Sequence, residues 1–138
     1  MLICGGTGCT SSNSQKVKAE LEAQINKNNL EKEVKVVTTG CFGLCAEGPI
    51  MVVYPEGVMY TMVRVEDVEE IVNEHLIKGR PVKRLMAGDK EADDTTKSLE
   101  NVDFFKRQVR IALRNCGVIN PENIDEYIAY DGYKALAK

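Results

Sequence analysis

Four of the five cysteines fall into two close pairs. Cys4 and Cys9 are separated by four residues, Cys41 and Cys45 by three, and Cys116 stands alone far downstream. Thiolates are soft ligands for zinc and for iron-sulfur clusters, and paired thiols also serve thiol-disulfide exchange. Structural zinc favours tight C-x2-C knuckles, which neither interval supplies. The dithiol of a redox motif is also C-x-x-C, and none is present. A 2Fe-2S centre takes two cysteines per iron across a wider rhomb, so each pair here suits one iron. Its thiolates, sulfides and ferric ions sum to a net negative charge that grows on reduction, so the site needs nearby donors. A zinc-stabilised or metal-free interaction module, and a thiol-disulfide oxidoreductase, stay open as alternatives.

Glycines surround the pairs. Of eleven in the chain, Gly5, Gly6, Gly8, Gly40, Gly43 and Gly48 lie within or beside the cysteine segments, where close backbone approach and positive φ are expected. Each pair also follows a predicted strand. In a β-α-β unit the two parallel strands are neighbours, so loops at their C-terminal ends lie side by side and all four sulfurs can meet.

The elements that would achieve this read as follows. Leu2-Ile3 ends a short strand, and Ser12 with Gln15 three residues later fits a capping box. A helix follows, with Val17, Leu21 and Ile25 on its inner stripe, ending in the Asn26 to Asn29 stretch. Its positive end would point at Cys9. Val34 to Thr39 is a strand stopping at Gly40. Ile50 to Tyr54 and Val58 to Val63 form a hairpin about Pro55-Glu56-Gly57. Glu66-Asp67 open a last helix with Val68, Ile71, Val72 and Leu76 inward, closed by Gly79. This order predicts an α/β fold over residues 1-80, a thioredoxin-like sandwich (β-α-β, β-hairpin, α). Pro49 stands where such a core has a cis-proline, although X-Pro bonds are trans by default. A core of this size buries little surface, so a bound cluster would add stability.

Residues 81-102 read as an acidic linker: Ala87 to Ser98 is rich in Asp and Glu, without large apolar residues or periodicity. Residues 103-138 read as a helical tail. Phe104 to Asn115 places Phe105, Val109, Ala112 and Cys116 on one face and Arg107, Arg110 and Arg114 on another, and Asn120-Pro121 caps a short helix running through Ile128. The tail has too few large apolar residues for a core of its own and is expected to dock on something else. Cys116 reads as a packed residue rather than a fifth ligand. His75 suits the C-terminal end of its helix, where the dipole favours it.

Composition excludes several classes. A single histidine cannot build a His-rich metal site, a two-histidine Rieske centre or an HExxH protease. A net charge of -3 with interspersed signs offers no footprint for nucleic acid. The N-terminus has no basic n-region or apolar h-region, and no apolar run is long enough to span a membrane, so a cytoplasmic location with reduced thiols is expected.

Cys4-Gly5-Gly6-Thr7-Gly8-Cys9 and Thr39-Gly40-Cys41-Phe42-Gly43-Leu44-Cys45-Ala46-Glu47-Gly48-Pro49 resemble the thioredoxin-like 2Fe-2S ferredoxin family, which includes the small iron-sulfur subunit of respiratory NADH dehydrogenase. Arg114 to Gly117 and Pro121 to Ile128 resemble the segment opening the flavin-binding module in the diaphorase subunit of NAD(P)-linked, electron-bifurcating-type hydrogenases. The resemblance implies one 2Fe-2S cluster held by Cys4, Cys9, Cys41 and Cys45. It also implies a one-electron carrier between a flavin/NAD(P)H site and other iron-sulfur centres, with flavoprotein and iron-sulfur subunits as partners. A homo-oligomer is neither required nor excluded. The glycine-rich loop that binds FMN and NADH lies further on in that family, and this sequence ends at Lys138, so no dehydrogenase activity carries over.

Overall fold

The computed structural model describes residues 1–87, 108–136 and 138. A four-stranded sheet has the order β2-β1-β3-β4, with β1 Leu2–Cys4, β2 Val37–Thr39, β3 Met51–Val53 and β4 Val58–Tyr60. β1 pairs parallel with β2, setting Cys4 opposite Thr39, and antiparallel with β3. β3 and β4 form the expected hairpin. β2, β3 and β4 are each shorter than the runs that predict them, whereas β1 extends to Cys4. Three of the four are buried along their whole length, which is why their sequences are continuously apolar rather than alternating.

The two-residue period of a strand sorts the side chains between two layers. Ile3, Met51, Val53, Val58 and Tyr60 pack with Val17, Leu21 and Ile25 of α2 (Ser14–Lys27) and with Val68, Ile71 and Val72. Leu2, Cys4, Val52 and Met59 point the other way, with Cys9, Phe42, Ile50 and Ala87. The first layer is the structural core. The second contains two of the four paired cysteines.

The closing helix is one continuous segment of three geometries: a 3-10 turn Val65–Asp67, α3 at Val68–Glu70, and a π-helical stretch Ile71–Ile77. Gly79, at φ +66, ends it as expected. His75 lies in the last turn of this stretch, as expected, and is buried there. Its Nδ1 is hydrogen-bonded to the Tyr60 hydroxyl at 2.8 Å, and that hydroxyl accepts from Val82 N at 3.0 Å. Pro49 is cis, as is Pro55. No helix among the described residues is long and apolar enough to cross a membrane.

Three sequence expectations need correction. The long helix does not start from a Ser12 cap. A short α1 (Thr7–Ser11) comes first, and Asn13, in the left-handed region at φ 69, turns the chain into α2. Asparagine tolerates that conformation better than most residues, and this outweighs the Ser-Gln capping pattern. The expected linker does not begin at residue 81. Val82, Leu85 and Ala87 are buried, Thr61 N donates to Leu85 O, and Ala87 N donates to Met59 O, so the chain runs along the β4 edge to residue 87. Arg84 fastens this stretch to Asp67 and Glu70. Residues 88–102 lie outside the described residues.

The tail also differs. Residues 104–107 are outside the description, and residues 108–115 form irregular chain, a bend and turns rather than a helix. A segment of that length is marginal as a helix without a surface to pack its apolar stripe against, and Val109 and Ile111 remain exposed. The last helix, α4, spans Ile124–Ala129 and is capped by Asn123, whose side chain accepts from Asp125 N. Asn120 instead accepts from Glu122 N and closes the turn before it.

Candidate metal centre

Cys4 ends β1, and the parallel pairing places it opposite Thr39, two residues before Cys41. Cys9 is the third residue of α1, the short helix that precedes the long one. Cys45 opens a 3-10 turn, Cys45–Glu47, that packs on α1. Both Cys4 and Cys9 are 1 % exposed, Cys41 is half-buried and Cys45 exposed. The inner pair therefore belongs to the hydrophobic core, and the outer pair borders solvent.

The sulfurs group as two pairs that feel one another. Cys41 Sγ and Cys45 Sγ are 3.7 Å apart. A tetrahedral metal with thiolates at about 2.3 Å spans a sulfur-sulfur edge of about 3.8 Å, so this pair is already spaced to share an ion. Cys9 is hydrogen-bonded to Cys4 and interacts with the charge of Cys41, while Cys45 interacts with Cys4. Among the described residues no three His, Cys, Asp or Glu side chains gather as one shared ion would require. A binuclear cluster takes one pair of thiolates per metal, and the 3.7 Å separation of Cys41 and Cys45 suits one such pair.

Crowding shows in the acid-base chemistry. Burial, the hydrogen bond with Cys4 and the charges of Cys4 and Cys41 push the Cys9 thiol up to about 12. The hydrogen bond to Cys41 and its charge push Cys45 up as well. Thiols so placed hold their protons, and a cationic centre between them would offset the repulsion and displace those protons.

The glycines fit a cradle of this kind. A Cβ on Gly6 would lie 3.1 Å from Cys41 Sγ, on Gly8 3.4 Å from Cys45 Sγ, and on Gly48 2.9 Å from Cys9 Sγ. Their role is close approach. Of the six glycines near the cysteines only Gly43 has positive φ, at 89°, where its N–H donates to Cys41 Sγ at 3.3 Å. That donor is of the type an electron-rich thiolate requires.

A model of the thioredoxin-like [2Fe-2S] ferredoxin family matches residues 1–76. The chain belongs to this family. It is 49% identical over 77 residues to a 2Fe-2S ferredoxin of Clostridium pasteurianum, an alignment covering 56% of this chain and 76% of that one. The solved thioredoxin-like [2Fe-2S] ferredoxin of Aquifex aeolicus superposes with a TM-score of 0.58 at 35% identity, over 64% of this chain and 94% of its own. A shorter stretch of 33 residues is 67% identical to the NADP-reducing hydrogenase subunit HndC of Solidesulfovibrio fructosivorans, covering 24% of this chain but only 7% of that subunit. The family cofactor is a single 2Fe-2S cluster, and the mixed α/β fold is that of the thioredoxin-like ferredoxins.

The sequence did not point to the contacts that the distal segment makes with this ferredoxin's second cysteine loop. Cys116 Sγ donates to Cys41 O at 3.2 Å, Gly117 N donates to Thr39 Oγ1 at 3.2 Å, and the Tyr54 hydroxyl donates to Gly117 O at 2.9 Å. Nothing local at Thr39 or Tyr54 signals partners more than sixty positions away. The glycine that follows Cys116, a residue free to take the positive φ seen at Gly117, is the one feature a sequence reader could have used.

Proposed function

We propose that this chain is a one-electron carrier whose cluster is held by Cys4, Cys9, Cys41 and Cys45. In this reading it relays electrons between a flavin/NAD(P)H site and other iron-sulfur centres of a hydrogenase or dehydrogenase complex in the cytoplasm. In this reading residues 1–138 act as an electron-transfer domain rather than an enzyme, and NAD(P)H dehydrogenase activity would need a flavin module or a partner subunit. The observation that carries the reading is the division of the four thiols into a buried pair in the core and an outward pair 3.7 Å apart. When bound, the cluster supplies a reversible one-electron couple without proton chemistry.

The protein's own part is positional. β1 and α1 hold Cys4 and Cys9 away from water, which disfavours added negative charge on that side. The outward pair lies against solvent and receives the Gly43 N–H, so added charge is better tolerated there, and a redox partner would approach over this side. Partial identity to a hydrogenase subunit supports a redox complex as the setting.

Rapid mixing tests the relay. The oxidised, iron-loaded chain should be bleached by a reduced NAD(P)H-dependent flavoprotein and recoloured by an oxidised iron-sulfur acceptor, each with one electron per chain. Reduction that proceeds only in two-electron steps would fit a dithiol and contradict the carrier reading.

A further inference from the structure

Two residues of the distal segment touch four consecutive residues of the second cysteine loop. Gly117 N–H donates to Thr39 Oγ1 at 3.2 Å. Cys116 Sγ lies so close to Gly40 that a Cβ there would stand 3.2 Å from it. The same thiol donates to Cys41 O at 3.2 Å. The Phe42 ring packs under Gly117, where an added Cβ would lie 2.4 Å from Cε1. The turn is itself anchored, since Tyr54 next to the β3-β4 hairpin donates to Gly117 O at 2.9 Å and Arg110 Nη1 to Cys116 O at 3.2 Å.

These contacts are unevenly distributed over the cage. The Cys4 and Cys9 side is held by a strand, a helix and the core. Gly40 to Leu44 follows β2 without regular structure, so beyond the burial of Phe42 the backbone that presents Cys41 has few regular anchors of its own. Both Thr39 and Gly117 are buried where they meet. Gly117 at φ +80 allows the turn to lie flat on Phe42, which no residue with a side chain could do.

We propose that the Cys116-Gly117 turn positions the Cys41 loop: it fixes the backbone on both sides of this outward ligand and thereby slows loss of the cluster. Cys116 is then a positioning residue rather than a ligand. The effect on cluster retention rests on the assignment of Cys41 as a ligand, whereas the seating of the turn stands on the contacts alone.

The test uses the full chain, purified anaerobically with its iron, and three substitutions. Gly117→Ala should unseat the turn, Cys116→Ala should remove the donor to Cys41 O, and Cys116→Ser should restore it. Release of iron to a ferrous chelator should accelerate on the order of three- to ten-fold in Cys116→Ala, the factor a single lost hydrogen bond is worth, and return towards the wild-type rate in Cys116→Ser. Gly117→Ala should be faster still. Alkylation of Cys116, followed by mass spectrometry, reads the seating directly and should quicken in Gly117→Ala. Equal iron release in wild type and Cys116→Ala would overturn the proposal even if Gly117→Ala failed to fold. A wild-type preparation without iron or sulfide would instead overturn the carrier assignment, while slow alkylation of Cys116 that quickens in Gly117→Ala would still establish the seat.

Discussion

Residues 1–87 and 108–136 treat their apolar side chains in opposite ways. In the first region Leu21, Met51, Val52, Met59 and Tyr60 are fully buried, on either face of a sheet whose strands are only three residues long. In the second, Ile111 and Leu136 are each 83% exposed, and the buried residues are confined to Gly117 and Ile119, next to or near the contact with the second cysteine loop. Chain length alone does not make this difference. The first region has a two-layer pattern that closes on itself, whereas the second has apolar residues without a facing layer. Its order comes from capped turns and from Thr39, Phe42 and Tyr54 of the first region.

The sharpest way to break this division is to compare cysteines across it. Cys9→Ala should abolish bound iron after anaerobic purification, because the proposed assignment makes this buried thiol a ligand. Cys116→Ala should keep its full complement at that stage. Equal loss in both would merge the two regions into one site.

Stability gives the next contrast. Leu21→Ala should lower the unfolding free energy by about 2–5 kcal/mol in chemical denaturation, since it empties a fully packed position. Leu136→Ala, at an exposed position, should stay within about 0.5 kcal/mol of wild type.

A glycine pair separates cradle from backbone. Gly48→Ala forces a methyl to 2.9 Å from Cys9 Sγ and should cost about 1–3 kcal/mol together with iron content. Gly79→Ala meets no atom within 4 Å and should cost about 1 kcal/mol through its φ of +66 alone, leaving iron content unchanged.

The smallest effect concerns His75. Burial lowers its pKa below the usual 6.5, so the folded state prefers the neutral ring. Its contribution to stability is present above pH 6.5 and is lost as pH falls from there through the lower folded value. A His75→Phe variant should lose part of the acid slope in stability while retaining the same iron content. An identical slope in both proteins would mean that the ring does not report on the fold.

The cysteine pairs, their glycine surroundings and the hairpin were legible because each is a local pattern with one dominant physical reading. The stripe of Val17, Leu21 and Ile25 was legible for the same reason. What was not legible depends on distance or on competition. Asn13 displaced the Ser12 cap because a left-handed turn was needed between α1 and α2. Val82, Leu85 and Ala87 read as the start of a linker because their partner, the β4 edge, lies more than twenty positions away. The arginine-rich stretch before Cys116 has helical periodicity, but Val109 and Ile111 of its apolar stripe meet no facing surface among the described residues, and turns stand where the helix was expected. The candidate site was thus visible as two cysteine pairs, while the loop contacts made by Cys116 and Gly117 required the fold.

The central claim is that the paired thiols hold a binuclear iron-sulfur cluster that accepts one electron. Iron, zinc and acid-labile sulfide analysis of the anaerobically purified chain, joined to an electron paramagnetic resonance spectrum after reduction, addresses it most directly. About two irons and two sulfides per chain, silent when oxidised and giving a spin-one-half signal when reduced, is the predicted result. A colourless chain with about one zinc and no sulfide would contradict it.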